Sequence, residues 1–328
     1  MKRTGARTGA ARVTSGRNGD SGRREPNRFP SASKPDLALP LPAAAGVGET
    51  GLAPGLYLVA TPIGNLGDVS LRALAVLRGV ERIYCEDTRV TAKLLARYGI
   101  STRPDRYHDH NAEEVRPAIL AALRRGERVA LVSDAGTPLV SDPGYKLVRA
   151  AIAEDLAVTA APGPSAALTA LILSGLPPDT FLFAGFLPPR RAARRRALGG
   201  WAALEATLVF FEGAPRLAEA LADMTELLGN RAAAVARELT KLHEEVRRGR
   251  LADLAAHYRD MGPPRGEIVI VVGPPEPGAP DPAEIDKRLR AALAELGVRD
   301  AAARLAAETG LPRGDLYRRA LAIRGDAK

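Results

Sequence analysis

The apolar run Val129-Ala130-Leu131-Val132 stops at Ser133, and the twelve residues that follow, SDAGTPLVSDPG, are mostly small or turn-forming. A chain that only has to turn needs two to six residues. The same excess recurs in ATPIGNLGD (60–68), at the end of GLYLVAT (55–61), and in APGPSA (161–166), at the end of LAVTAA (156–161). Gly and Ser let main-chain N–H and C=O groups approach a ligand with no Cβ in the way. In open α/β sheets ligands gather beyond the carboxyl ends of the strands. Three such loops on successive strand ends therefore predict an α/β sheet with one shared ligand site.

The intervening segments agree with this. VSLRALAVLRG (69–79), TRVTAKLLARYG (88–99), NAEEVRPAILAALRRG (111–126) and YKLVRAAIAED (145–155) have helical spacing, and VERIYCE (80–86) and ERVALVS (127–133) read as strands. Alternation of this kind predicts a largely parallel sheet with helices on its faces. The prolines of APGPSA mark a boundary. Beyond it, strands are expected near 180–186, 206–211, 232–238 and 266–273. Some are too close for a crossover helix, so the second sheet should be mixed. The expected organisation is a basic N-terminal extension over 1–53, α/β domains over 54–161 and 162–274, a Pro-rich linker over 275–284 and a helical module over 285–328. In that module 301–323 reads as two helices about a turn at Thr309-Gly310, a helix-turn-helix spacing, with Ala303, Leu305, Ala306 and Ala307 inward on the first and Leu316, Tyr317, Ala320 and Leu321 on the second.

Residues 1–53 have too little aromatic and β-branched content to offset the entropy of ordering, and read as disordered. The net charge is +9, and residues 1–50 hold nine Lys/Arg against four Asp/Glu. A second cluster, RRAARRR, places Arg190, Arg191, Arg194, Arg195 and Arg196 within seven residues. Unbalanced arginines repel one another, which RNA phosphates would relieve. The single cysteine, Cys85, excludes an internal disulfide and any multi-Cys metal site, and its apolar setting reads as structural. No stretch approaches the length of a membrane span, and the expected location is the cytoplasm.

The loops lack the Lys and Ser/Thr of a phosphate-binding P-loop. Gly64 and Gly67 give only part of a dinucleotide fingerprint, although Asp87 lies where a ribose-binding acid belongs. A ligand polar at several points but without phosphate fits better, and S-adenosylmethionine is one.

The stretches LYLVATPIGNLGDVSLRAL, CEDTRVTAKLL, YHDHN, LVSDAGTPLVSDPG, PGPSAALTALILSGLP and ARELTKLHEE, in this order between about 55 and 273, resemble the bacterial 16S ribosomal RNA cytidine 2′-O-methyltransferases of the tetrapyrrole-methylase superfamily. The resemblance implies two α/β domains with S-adenosylmethionine in the cleft between them, a homodimer, and the small ribosomal subunit or its 16S RNA as substrate. It assigns the cofactor to Thr61, Pro62, Ile63 and Gly64; to Ser133, Asp134, Ala135, Gly136, Thr137, Pro138 and Ser141; to Pro162, Gly163, Pro164 and Ser165; and, from the second domain, to Phe211, Glu212, Ala236, Arg237 and Glu238. The chain departs from the family at Pro215, where members often carry His, and in its long basic N-terminus.

The reaction so implied is in-line attack of a ribose 2′-hydroxyl on a sulfonium methyl, helped by alignment and a proton acceptor. Glu86, Asp87 and Arg89 are candidates, with a helix cap by Asp87 as the alternative. His108, His110 and Asn111 are candidates for holding the substrate, with Asn111 alternatively a helix cap; the His-x-His pair has no evident third metal ligand. Lys241, His243, Glu244 and Glu245 alternate as on a strand, and Lys241 is expected to face RNA with the arginine cluster. Two other readings remain: a tetrapyrrole methyltransferase, against which the charge and the 4% aromatic content count, and a non-catalytic RNA-binding protein.

Overall fold

The computed structural model describes residues 51–276, 282–309 and 311–325. The N-terminal extension through residue 50, the linker residues 277–281 and Gly310 lie outside them.

Five strands form the first sheet: β1 (Gly55–Val59), β2 (Arg82–Cys85), β3 (Pro104–Arg106), β4 (Arg128–Val132) and β5 (Val158–Ala161), all parallel, in the order β3-β2-β4-β1-β5. Central parallel strands are covered on both faces and so read as continuous apolar runs. β3 escapes such a reading because it is three residues long, begins with Pro104 and has no buried residue. Helices α1 (Leu71–Gly79) and α2 (Thr88–Arg97) pack one face through Leu74, Leu77 and Leu95 against Val59, Ile83 and Val132. Helices α3 (Ala112–Arg124) and α4 (Tyr145–Ala153) pack the other through Ile119, Leu123 and Leu147 against Leu56, Val129 and Leu131. Side chains set two of the helix starts: Ser70 accepts the Ala73 N–H and Asp87 accepts the Arg89 N–H. Cys85 is fully buried, and burial pushes its thiol up to about 11, as suits an inert core residue.

The second sheet is mixed. β6 (Phe181–Phe186) pairs parallel with β7 (Thr207–Gly213), and β10 (Glu267–Val272) runs antiparallel to β7 and to β8 (Ala232–Arg237), which pairs antiparallel with β9 (Glu245–Arg250). The order is β6-β7-β10-β8-β9. The alternation read over 241–245 is not a strand: 239–243 form the turn of the β8–β9 hairpin, and β9, with three arginines in EVRRGR, starts at Glu245. Helix α5 (Ala166–Ser174) covers one face with Ala167, Ala170 and Leu171 on Val209, Ala234, Val269 and Val271. Helices α7 (Leu217–Leu228) and α8 (Leu251–Met261) cover the other, over Leu208, Phe210, Val235 and Ile270, and α6 (Arg191–Gly200) adds Leu198.

Three C-terminal helices, α9 (Pro282–Glu295), α10 (Val298–Thr309) and α11 (Arg313–Gly325), share a core of their own. Its inward residues are Ile285, Leu289, Ala301, Ala302, Leu305, Leu316 and Ala320; Ala307, Tyr317 and Leu321, expected inside, are exposed. Consecutive alanines in AAARLAA leave the phase of the helix open, so its buried face cannot be read locally. Among the described residues no helix is long and apolar enough to cross a membrane.

Candidate active site

Every loop that the sequence singled out in the first half of the chain emerges at the carboxyl edge of the first sheet. The connections leaving β1 and β4, which are neighbours, pass to opposite faces, and a crevice opens at such a switch point. There the loops after β1, β4 and β5 are fastened to one another. Thr61 and Gly136 exchange two main-chain hydrogen bonds of 2.9 and 3.0 Å. The Thr61 hydroxyl donates to the Ser133 carbonyl (2.9 Å), and that of Thr137 to the Pro164 carbonyl (3.2 Å). Gly136 sits at φ +86°, where a Cβ would come within 3.3 Å of Ile63 and 3.6 Å of the Pro164 carbonyl. The wall is therefore main chain at closest approach. Leu139 (φ +70°) and Ser141 (φ +67°) are held left-handed without being glycine, a strain of order 1–3 kcal/mol each that clusters at functional sites.

Beside this wall lies a small recess, roomy enough for about one water, with Leu131, Val132 and Tyr107 in its lining and the carboxylates of Glu86, Asp134 and Asp142 around it. Burial raises the pKa of all three; mutual repulsion adds to it, Asp134 and Asp142 acting on Glu86 and Asp134 on Asp142. Asp134 accepts the Asp87 N–H (3.0 Å) and Asp142 accepts the Ser133 hydroxyl proton. Glu86 is exposed as a residue, its carboxyl only partly desolvated at the rim of the recess, and it has no hydrogen-bond or ion-pair partner among the described residues. Asp142 and Tyr107 were not singled out from sequence; the second Ser-Asp-x-Gly of the loop was the signal for Asp142.

Asp87 and Arg89 are occupied with each other. Asp87 caps α2 through the Arg89 N–H (2.8 Å) and pairs with its guanidinium at 2.6 Å, which holds the carboxyl far below the usual carboxylate range. That carboxylate is a poor proton acceptor. His108 and Asn111 close a turn: Asn111 Oδ1 accepts the His108 N–H (2.8 Å), and His108 Nδ1 accepts the Asn111 N–H (3.2 Å). The Asn111 side chain thus folds back on the turn and does not cap α3. His110 is exposed, its ring 6.0 Å from that of His108. Among the described residues no group of three or more His, Cys, Asp or Glu is arranged to hold a metal.

The second sheet meets these loops. Ile63 enters the apolar cluster of Ala236, Leu239 and Phe211. Gly64 lies so close to Lys241 that a Cβ would be 2.4 Å from its Cγ, and the Asn65 N–H reaches the Thr240 hydroxyl (3.1 Å). Ser141 approaches Gly185 on β6, where a Cβ would stand 3.3 Å from its hydroxyl. Ser165 caps α5 through the Leu168 N–H.

The side chains of Glu212, Arg237, Lys241 and most of the arginine cluster have partners away from the expected surfaces, whereas Phe211 stays beside Ile63 and Ala236. Phe211 packs edge-on to Phe183 (4.9 Å) and Phe186 (5.4 Å) on the α5 face. Alternation along β7 turns Glu212 to the opposite face, where Oε1 pairs with Arg216 (2.6 Å) and Oε2 is buried without a hydrogen-bond partner among the described residues. For the same reason the Arg237 side chain points away from Ala236 and pairs with Glu245 (3.1 Å). Lys241 does not face outward: its amino group bridges Glu238 (2.8 Å) and Glu267 (2.7 Å). Arg194 is 1% exposed and donates to Asp223 (2.8 Å), which also receives Arg191 (3.2 Å) and Arg195 (3.1 Å). The arginine cluster is largely a tie between α6 and α7; of its five members, only Arg190 and Arg196 are exposed with no acidic partner among the described residues.

The family model for tetrapyrrole (corrin/porphyrin) methylases matches residues 55–255, and that for the RsmI C-terminal HTH domain matches 279–324. The chain is 54% identical over 274 residues to "Ribosomal RNA small subunit methyltransferase I" of Mesorhizobium japonicum, covering 83% of this chain and 93% of the relative. It is 55% identical over 273 residues to the protein of the same name from Erythrobacter litoralis, covering 83% and 96%. The crystal structure of a diphthine synthase shares the fold, at 16% identity and a TM-score of 0.53 over 66% of this chain and 89% of that one. A two-sheet α/β body with ligand loops at one carboxyl edge and a match over most of that body lead to one conclusion: the chain belongs to the tetrapyrrole (corrin/porphyrin) methylase family.

Proposed function

We propose that this protein is an S-adenosylmethionine-dependent methyltransferase of small-subunit ribosomal RNA, acting in the cytoplasm on the 2′-hydroxyl of a cytidine. The observation that carries the reading is the fused wall of the 61–64, 133–138 and 162–165 loops in a chain whose relatives are named for that RNA. The wall suits the cofactor on its own chemistry. Gly136, at φ +86°, suits only glycine and brings the loops together by main-chain bonds; Ile63, Phe211 and Ala236 offer an apolar side. The three carboxylates favour a cationic ligand over a phosphate. When bound, S-adenosylmethionine supplies an electrophilic sulfonium methyl group to the ribose hydroxyl.

The chain's own residues then have separable tasks. Thr61, Ser133, Gly136 and Thr137 hold the wall rigid, which fixes reactants in line. Glu86, with its raised pKa and no partner, takes the hydroxyl proton. The Arg106–Asn111 turn, where the Asn111 side-chain amide donates to the Arg106 carbonyl (3.1 Å), presents His108 and His110 to the substrate. The test is transfer of labelled methyl from S-adenosylmethionine to small subunits, with porphyrin precursors as the competing acceptor. Label is expected on a cytidine ribose; label on a pyrrole compound alone would overturn the reading.

The protein is further proposed to act as a homodimer. Helix α5 is apolar but for Thr169 and Ser174, whose hydroxyls bond the helix's own carbonyls, and Leu168 (50% exposed) and Ile172 (73%) stand one turn apart on its outer face. A helix apolar on every side is normally buried, and a second copy would cover it. Light scattering should give twice the chain mass in the wild type and the single mass in Ile172→Asp; a monomeric wild type removes the dimer.

A further inference from the structure

The C-terminal module has one face that its own core does not use. Along α11, Arg313, Tyr317, Leu321 and Arg324 fall within an arc of about 80° at 100° per residue, next to the inward Leu316 and Ala320. Tyr317 is 40% and Leu321 48% exposed, and both arginines are exposed. Of the module's other arginines, Arg318 pairs with Asp315, Arg319 with Asp286, and Arg288 and Arg304 with Glu308, while the exposed Arg290 and Arg299 lie on the other two helices. Arg313 and Arg324 have no acidic partner among the described residues.

We infer that this stripe of α11 is an RNA-docking surface, with Arg313 and Arg324 on phosphates and Tyr317 stacked on an unpaired base. The inference rests on the RNA-methylating reading above for the identity of the RNA. Two cations about 16 Å apart along the helix span several phosphates, and an aromatic ring between them offers a stacking platform that every base can use. A protein partner would be expected to meet the apolar pair with a larger apolar patch; here Tyr317 and Leu321 are flanked by unpaired charge at both ends. With its own core, the module can present this face to RNA while the wall beside the first sheet holds the methyl donor.

The test is binding of full-length protein to fluorescent, transcribed small-subunit RNA over a salt series, independent of methyl transfer. Arg313→Gln with Arg324→Gln should make the slope of log affinity against log salt shallower by about 1.5, and weaken binding on the order of tenfold near physiological salt. Arg313→Lys with Arg324→Lys should keep the slope. Tyr317→Ala should lower affinity about fivefold to tenfold with the slope unchanged, as loss of stacking does. Thermal melting should leave all three variants at the wild-type midpoint, since none of these side chains is in the core. The inference is overturned if the Gln pair keeps wild-type affinity and slope, or if α11-dependent capture of small subunits survives digestion of their RNA, which would make a ribosomal protein the partner. If the slope changes as expected while the wild type moves no methyl group to this RNA, the docking surface stands and the catalytic reading fails.

Discussion

Glu86→Gln is expected to lower kcat for methyl transfer about a hundredfold, with little change in S-adenosylmethionine affinity, and to erase the acid limb of the pH–rate profile. The wild-type limb should lie above that of an ordinary glutamate, because partial burial and then the charges of Asp134 and Asp142 raise the Glu86 pKa. The base works deprotonated, so the rate climbs as pH passes through that raised value. The same shift has the opposite consequence for folding. With the folded pKa above the unfolded one, the folded state binds more protons in the window between them, and stability falls as pH rises across it. Glutamine carries no charge to repel, so the variant should melt no lower than the wild type at neutral pH while turning over far more slowly. Full activity in Glu86→Gln, or a slow variant with the wild-type pH profile, would remove Glu86 as the proton acceptor. Asp134 and Asp142 are weaker choices for the role, since one holds the Asp87 N–H and the other the Ser133 hydroxyl.

What could be read from the sequence follows how locally each feature is determined. The central strands β1 and β4 announce themselves because both faces are buried and every residue must be apolar. Their loops are legible because Gly136 must occupy positive φ against Ile63 and Pro164. Edge strands carry no such demand. β3 is PDR, paired to β2 some twenty residues back, and β9 is EVRRGR, the outer arm of the hairpin with β8; both are held by main-chain pairing and neither has to be apolar. Side-chain direction was lost in the same way. Phe211 and Glu212 adjoin in sequence, yet the pleat sends one toward the first sheet's Ile63 and the other into the opposite face beside Arg216. The Asp87 cap was within reach, being two residues from its partner. The partners of Lys241 were only half within reach: Glu238 is three residues away, Glu267 twenty-six.

The arginine cluster is the largest instance, and it carries the largest expected effect on folding. Five arginines in seven residues look like an RNA surface until α7 contributes Asp223, some thirty residues on, which is 1% exposed. Burial alone would raise the Asp223 pKa; hydrogen bonds from Arg194, Arg195 and Arg191 outweigh it and leave the pKa below its usual value. A depressed carboxylate pKa means stability present at neutral pH that is lost as pH falls through the folded value. Asp223→Ala leaves the buried Arg194 guanidinium with only a 3.4 Å contact to the largely exposed Glu219, and removing the buried partner of such a pair costs about 3–5 kcal/mol. In a chain of this size that lowers the melting midpoint on the order of 10 °C. Replacing both partners, Arg194→Met with Asp223→Leu, should recover most of the loss, because neither charge then has to be desolvated. Arg190→Gln with Arg196→Gln, two exposed positions, should shift the midpoint hardly at all and instead flatten the salt dependence of RNA binding. Wild-type melting in Asp223→Ala would mean that Arg194 finds solvent in spite of its place in the fold. A lowered midpoint for the exposed pair would mean that the division between fold and RNA within this cluster runs elsewhere.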